Sequence, residues 1–212
     1  MSTELVLTLY RIEYSTNVER VALALAHKRL EVVSVCVPPD DRSEVRRISG
    51  QDLVPVLVDE GKVVVDSMEI VRYLEDRFPD RPPLYPRDPA RRAECLLFID
   101  WFNRVWKRPP NEIEEELSKP SGRRDMQRVE RLGKAMAGYL DLFEQILSGR
   151  EYLLGDFSAA DVAAFPFLKY AGKSKATSPY LFHQVLIDYQ QPGTTHPRLL
   201  DWIARVDRHP RV

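Results

Sequence analysis

Residues 79–89, PDRPPLYPRDP, hold five prolines in eleven residues. Each proline fixes φ and lacks an N–H, so the segment can be neither a helix interior nor a central strand, and it reads as a stiff extended connector. It divides the chain into residues 1–78 and residues 90–212, joined by 79–89. The 212 residues of the chain suit two modest domains.

Before the connector, strand and helix patterns alternate. ELVLTLY (4–10) reads as a strand, and NVERVALALAHK (17–28) as a helix with Val18, Val21, Ala22 and Leu25 on one face. VVSVCV (32–37) is β-branched and bounded by Pro38-Pro39, a second strand. A short helix falls around DRSEVRRI, and VPVLVD and KVVVD flank Glu60-Gly61 as a hairpin. SMEIVRYLEDRF is a last helix, ended by Pro79. The order is β-α-β-α-β-β-α.

After the connector the patterns are helical. Leu97-Trp101-Val105 and Phe98-Phe102-Trp106 make two adjacent stripes, so the spacing predicts one helix over 90–107 packed on more than one side. Pro109-Pro110 stops or kinks it. Val129, Leu132, Met136, Leu140, Phe143 and Leu147 define a second helix that Gly149 ends. In GDFSAADVAAFPFLKYA, Ser158 and Asp161 have N-cap and N3 spacing. A short helix is expected around YLFHQVLIDY, and a last one through PRLLDWIARVDRH, opened by Pro197.

Thirty-one basic residues against 32 acidic ones give no excess charge to select nucleic acid or an anionic membrane. No apolar run approaches the roughly 20 residues that span a bilayer. Met1-Ser2-Thr3-Glu4 lacks the opening of a secretory signal, so a cytoplasmic protein is expected. Cys36 and Cys95 fit no CxxC or metal spacing; a disulfide between them is conceivable, but reduced thiols are the expectation for such a chain. The four histidines (27, 183, 196, 209) are scattered and suggest no metal site, and neither GxGxxG nor GxxxxGK[ST] occurs.

A proline inside the strand-like run VPVLVD needs explaining, because Pro55 can donate no ladder hydrogen bond. Four stretches bear on it: YSTNVERVALAL, VPVL, DSMEIVRYLEDRFP and GDFSAADVAAFPFL. Their order and spacing resemble the cytosolic glutathione transferase superfamily across nearly the whole chain. The resemblance implies an α/β thioredoxin-like N-terminal domain with a four-stranded mixed sheet, an all-α helical-bundle C-terminal domain, and a homodimer. It also implies a cis Val54–Pro55 bond that turns the Val54 N–H and C=O toward an extended peptide, a form of β-augmentation.

The same resemblance places the γ-glutamyl end of glutathione at Asp66 and Ser67. Ser67 would bind the carboxylate and Asp66 would sit near the ammonium. On spacing alone, Asp66 and Glu69 equally read as a helix cap. Two residues before Pro55, where many members carry Lys, Gln or His, stands Leu53. SGQDLVP resembles the TGQxTVP stretch of glutaredoxins, which offers Gln51 for the glycine carboxylate; a solvated loop glutamine is the other reading.

Family chemistry needs a thiolate. A thiol of pKa near 8.5 is only about 3% ionised at pH 7, and lowering it two units takes about 2.7 kcal/mol of preferential stabilisation. A hydroxyl and a helix N-terminus are the expected sources. Ser15, just before the first helix, matches the catalytic Ser or Cys of several classes, with Tyr10 and then Tyr14 behind it. Serine there is also a common plain N-cap. With no cysteine at 15 or 18, glutathione itself must supply the thiol. By family geometry the helix over 90–107 contributes to the electrophile pocket, with Trp101, Arg104 and Trp106 as candidates, although aromatic stripes are more often core.

The resemblance thus implies a transferase joining glutathione, as co-substrate and not a resident cofactor, to small hydrophobic electrophiles. Glutathione-dependent disulfide reduction and a non-catalytic assembly module are the alternatives.

Overall fold

The computed structural model describes residues 7–212. The chain forms two compact units, the first running to Arg87 and taking in Arg208–Val212, the second Asp88–Asp207.

The first unit has a four-stranded mixed sheet in the order β2-β1-β3-β4, as the thioredoxin-like pattern requires. Strand β1 (Leu7–Arg11) pairs in parallel with β2 (Val32–Cys36) and antiparallel with β3 (Val56–Asp59), which pairs antiparallel with β4 (Lys62–Val65). Residues 4–6 of the expected first strand lie outside the described residues. Glu60 and Gly61 close the β3–β4 hairpin at φ 48° and 86°, the two successive positive values that a tight two-residue turn needs. Helices α1 (Thr16–His27), α2 (Ser43–Ser49) and α3 (Ser67–Arg77) complete the unit, and α1 packs on α3. The run VALALA in α1 is apolar all round, and Val21 to Leu25 are all buried.

The proline-rich segment is tied down by a buried cation. Lys28, fully enclosed at the end of α1, bonds Glu75 of α3 at 2.8 Å and the carbonyl of Pro82 at 3.3 Å. Glu75 in turn accepts from the Leu84 and Tyr85 amides at 3.0 and 3.4 Å. Proline supplies no donors here, so a carboxylate takes up the N–H groups that remain.

The second unit is helical: α4 (Pro89–Trp101), α5 (Arg108–Ser118), α6 (Met126–Ile146), α7 (Ala159–Leu168), α8 (Leu181–Tyr189) and α9 (Pro197–Asp207). The single helix expected over 90–107 ends as α-helix at Trp101 and continues as one π-helical turn, Phe102–Trp106. Pro109 and Pro110 then lie in the first turn of α5, a helix the sequence patterns did not reveal. A first-turn proline loses no intrahelical bond, so these residues begin one helix as they end another.

All ten residues of α7 are buried, which makes it the centre of this unit. The Ser158–Asp161 spacing forms a true capping box. Asp161 goes further: it also accepts from the Leu153 amide at 3.0 Å and from Trp202 Nε1 at 2.8 Å. Its enclosure pushes the carboxyl up to about 6.

Candidate functional site

Strand register assembles the site. Tyr10 pairs with Val56, and Val56 with Val65, so the chain after β1, before β3 and after β4 emerges at one end of the sheet. Those three segments carry Ser15, Val54 and Ser67. The Val54–Pro55 bond is cis, and the β1–β3 ladder begins at Val56, which leaves the Val54 backbone beyond its last rung.

Ser15 is the N-cap of α1, with extended backbone (φ −73°, ψ 119°), and its Oγ accepts from the Val18 amide at 3.3 Å. An oxygen used as acceptor keeps its own hydrogen free to donate. Tyr14, at φ 62°, is 64% exposed, whereas Tyr10 is half-buried against the Val37, Val45 and Val56 cluster. Among the three hydroxyl candidates, the Ser15 oxygen is the one that caps the helix.

Asp66 caps α3 from an unusual backbone position (φ 67°), its Oδ1 accepting from Met68 and Glu69 amides at 2.8 and 3.2 Å. Ser67 is the first residue of α3 and is buried, its Oγ accepting from Arg20 Nη1 at 3.3 Å. Arg20 is 1% exposed and also reaches Asn17 Oδ1 at 3.5 Å. Burial pulls its pKa down to about 9, against the opposing effect of the Asp66 charge, so the guanidinium stays a cation at neutral pH. A helix N-terminus with a desolvated cation behind its first residue favours an anion.

Sequence reasoning passed over Arg20. The signal was present in part: a cation directly before an all-round apolar helical run is a candidate for burial, and a buried arginine keeps its charge only beside acceptors.

The family model described as "Glutathione S-transferase, N-terminal domain" matches residues 9–82, and "Glutathione S-transferase, C-terminal domain" matches 126–205. FtsZ-localized protein A of Caulobacter vibrioides is 30% identical over 172 residues, 74% of this chain and 73% of that protein. The chain belongs to the glutathione S-transferase superfamily. Glutathione S-transferase Z1 of Arabidopsis thaliana is 40% identical over 91 residues, 41% of each chain, so that match spans less than half of the relative. The beta-etherase LigF of Sphingobium sp. strain SYK-6 shares the fold at TM-score 0.79 and 22% identity, over 96% of both chains.

Within this glutathione S-transferase fold the remaining candidates are placed as follows. Gln51 is half-buried, its amide and carbonyl bonded to Ser49 Oγ at 3.4 and 3.3 Å. Leu53 is 71% exposed. Trp106 is fully buried, stacked on Phe102 at 4.5 Å with Phe143 and Phe167 at its edges, a core side chain. Arg104 is exposed and ion-paired with Asp100 at 2.6 Å. Trp101 is half-buried, edge-on to Tyr139, and lines a cavity of about 700 Å³ in the second unit with Leu97, Phe98, Leu142, Ile146 and Leu154. Cys36 and Cys95 are both free; burial pushes the Cys95 thiol up to about 12, which removes it as a nucleophile. No described helix is long and apolar enough to cross a membrane.

Proposed function

We propose that the protein is a glutathione transferase that joins the thiolate of glutathione to small hydrophobic electrophiles. The convergence of Ser15, the Val54 backbone and Ser67 at one end of the sheet carries this reading. Glutathione lies extended beside Val54. Its γ-glutamyl carboxylate meets Ser67 at the start of α3, with Arg20 behind, and its ammonium meets Asp66. Gln51 and Pro55 border the rest of the tripeptide, while Trp101 and Arg104 are the electrophile-side candidates.

In the reaction the thiol gives its proton to solvent, and the Ser15 hydroxyl donates a hydrogen bond to the resulting sulfur anion. The N-terminus of α1, which Ser15 caps, adds favourable potential. Sulfur then forms a bond to the electrophilic carbon as the leaving group departs with its electron pair. Ser15 gains by acting on a charge that exists only after ionisation, which is where catalytic stabilisation counts.

A second reading has one specific observation in its favour: a relative matched over most of both chains is named for localisation with FtsZ, not for an activity. An assembly module on this fold would have no use for the tripeptide. Isothermal titration with glutathione separates the two, followed by turnover of an aryl halide and of a mixed disulfide. Binding at millimolar concentration or tighter with aryl halide turnover supports the transferase; no binding at all favours the module. Turnover of the disulfide alone makes the protein a glutathione-dependent reductase.

A further inference from the structure

Arg208–Val212 follow the last helix of the second unit but belong to the first. Two contacts hold this segment. Arg211 Nη2 lies 3.2 Å from Glu19 Oε1 in the first turn of α1, with 24% and 14% of the side chains exposed. The Val212 carbonyl accepts from Arg11 Nη1 at 2.9 Å, and Arg11 is the last residue of β1. Arg211 Nη1 also donates to the His209 carbonyl at 2.5 Å, which fixes the guanidinium against its own backbone.

The two anchors bracket residues 12–18. That stretch contains the loop after β1, the left-handed Tyr14, the Ser15 cap and the Val18 amide it receives. A non-glycine residue at positive φ persists only where its surroundings hold it. Helix N-terminal potential decays within one turn, so a displacement of about an ångström at Ser15 changes what a nearby anion feels. A half-buried ion pair is little weakened by salt, which suits it to holding such a position.

We propose that Arg211, with the Val212 carbonyl, is a positioning residue: a strap that sets where the Ser15 hydroxyl and the α1 N-terminus stand relative to the glutathione sulfur. The inference rests on the transferase reading and adds to it a part of the chain nearly two hundred residues away from the serine.

The test follows the ultraviolet absorbance of the bound thiolate against pH, with glutathione as the probe, in the full-length wild type, Arg211→Ala, Arg211→Lys and Arg211→Ala combined with Ser15→Ala. The wild type should show a thiol pKa below that of free glutathione. Arg211→Ala should raise it by about half a unit, with kcat/KM for an aryl halide falling about threefold below that pKa and matching wild type well above it. A general loss of structure would lower the rate at every pH. Arg211→Lys, which keeps the charge, should recover part of the shift. On the Ser15→Ala background, Arg211→Ala should add clearly less than it does alone, the remainder being the share of the α1 N-terminus.

A shift of equal size on that background would mean a simple charge effect and overturn the positioning role. So would an Arg211→Ala protein that binds glutathione with the wild-type thiol pKa, while the transferase reading stood. A wild type that binds no glutathione would remove both. If Arg211→Ala does not fold, Arg211→Gln, which keeps the aliphatic stem and a donor but neither the charge nor the reach, carries the same expectations.

Discussion

A guanidinium stripped of water has to be held by acceptors, and Arg20 makes Ser67 one of them. The serine oxygen that receives this bond is polarised, so its own hydrogen becomes the better donor to an incoming carboxylate. Ser67→Ala should therefore weaken glutathione about tenfold, ~1.4 kcal/mol, and leave a thiol without the γ-glutamyl group unaffected. Titration calorimetry with glutathione and cysteinylglycine reads the difference, and equal losses for both would contradict the assignment. Asp161 makes the complementary case in the second unit. Removing its carboxylate strands the Leu153 and Ser158 amides and the Trp202 indole N–H together. Asp161→Ala should cost roughly 3 kcal/mol, visible as a lower urea midpoint at unchanged slope. At this scale sequence was informative where roles are local. The Ser158–Asp161 spacing announced its own capping box, whereas the Trp202 bond to the same carboxylate spans 41 positions and leaves no local trace. Trp106 shows the ambiguity from the other side, since a helical stripe states that a side chain is covered but not whether protein or ligand covers it.

Elements were legible wherever periodicity ran uninterrupted, as in α1, α6 and the β3–β4 hairpin. They were lost where two signals overlapped. Pro109-Pro110 reads as a stop from the left and as a start from the right, and the π-turn at Phe102–Trp106 keeps the aromatic stripes while changing the hydrogen-bond period. Close packing between elements was also hidden: a Cβ on Gly133 of α6 would fall 2.3 Å from the Tyr189 ring of α8. Gly133→Ala should accordingly destabilise by about 1–3 kcal/mol despite alanine's better helix propensity, whereas Gly138→Ala, with open space around it, should stabilise by up to about 1 kcal/mol. Thermal melts of the two variants give opposite signs if packing decides. The junction of α6 with α9 carries a pH dependence. His196 bonds Asp141 at 2.9 Å and the Pro192 carbonyl at 2.9 Å. Burial works against its charge, but the carbonyl, Asp141 and Glu144 together outweigh that and raise its pKa above the ordinary value. A group whose folded pKa is raised holds more protons when folded, so its stabilisation is complete below about pH 6.5 and is lost as pH rises through the folded value. Asp141→Asn should flatten the decline in melting temperature between about pH 6 and pH 8 relative to wild type; an unchanged slope would mean that this contact does not govern it.

At the scale of the whole molecule the proposed reading places glutathione on one of the two units, and that placement can be measured. Every residue assigned to glutathione, from Ser15 to Ser67, belongs to the first unit, while a buried aromatic cluster of Phe102, Trp106, Phe143 and Phe167 belongs to the second. The proline-rich segment reads as a connector from composition alone, but its anchoring through Lys28 and Glu75 does not show there, because that pair joins positions 47 apart. A ligand bound to the native state alone stabilises it by RT ln(1 + [L]/Kd), about 2.7 kcal/mol at a hundredfold excess over Kd. Glutathione at that excess should therefore raise the melting temperature, and hydrogen exchange should show where its contacts fall. The slowed amides should include Val54, Ser67 and Val18, since the ligand covers the first and bears on the two helix N-termini that hold the others. Protection confined to Asp88–Asp207 would place the tripeptide on the wrong unit. A rise in melting temperature with no protection at Val54 would mean that this end of the sheet is not its seat, whatever activity the protein showed.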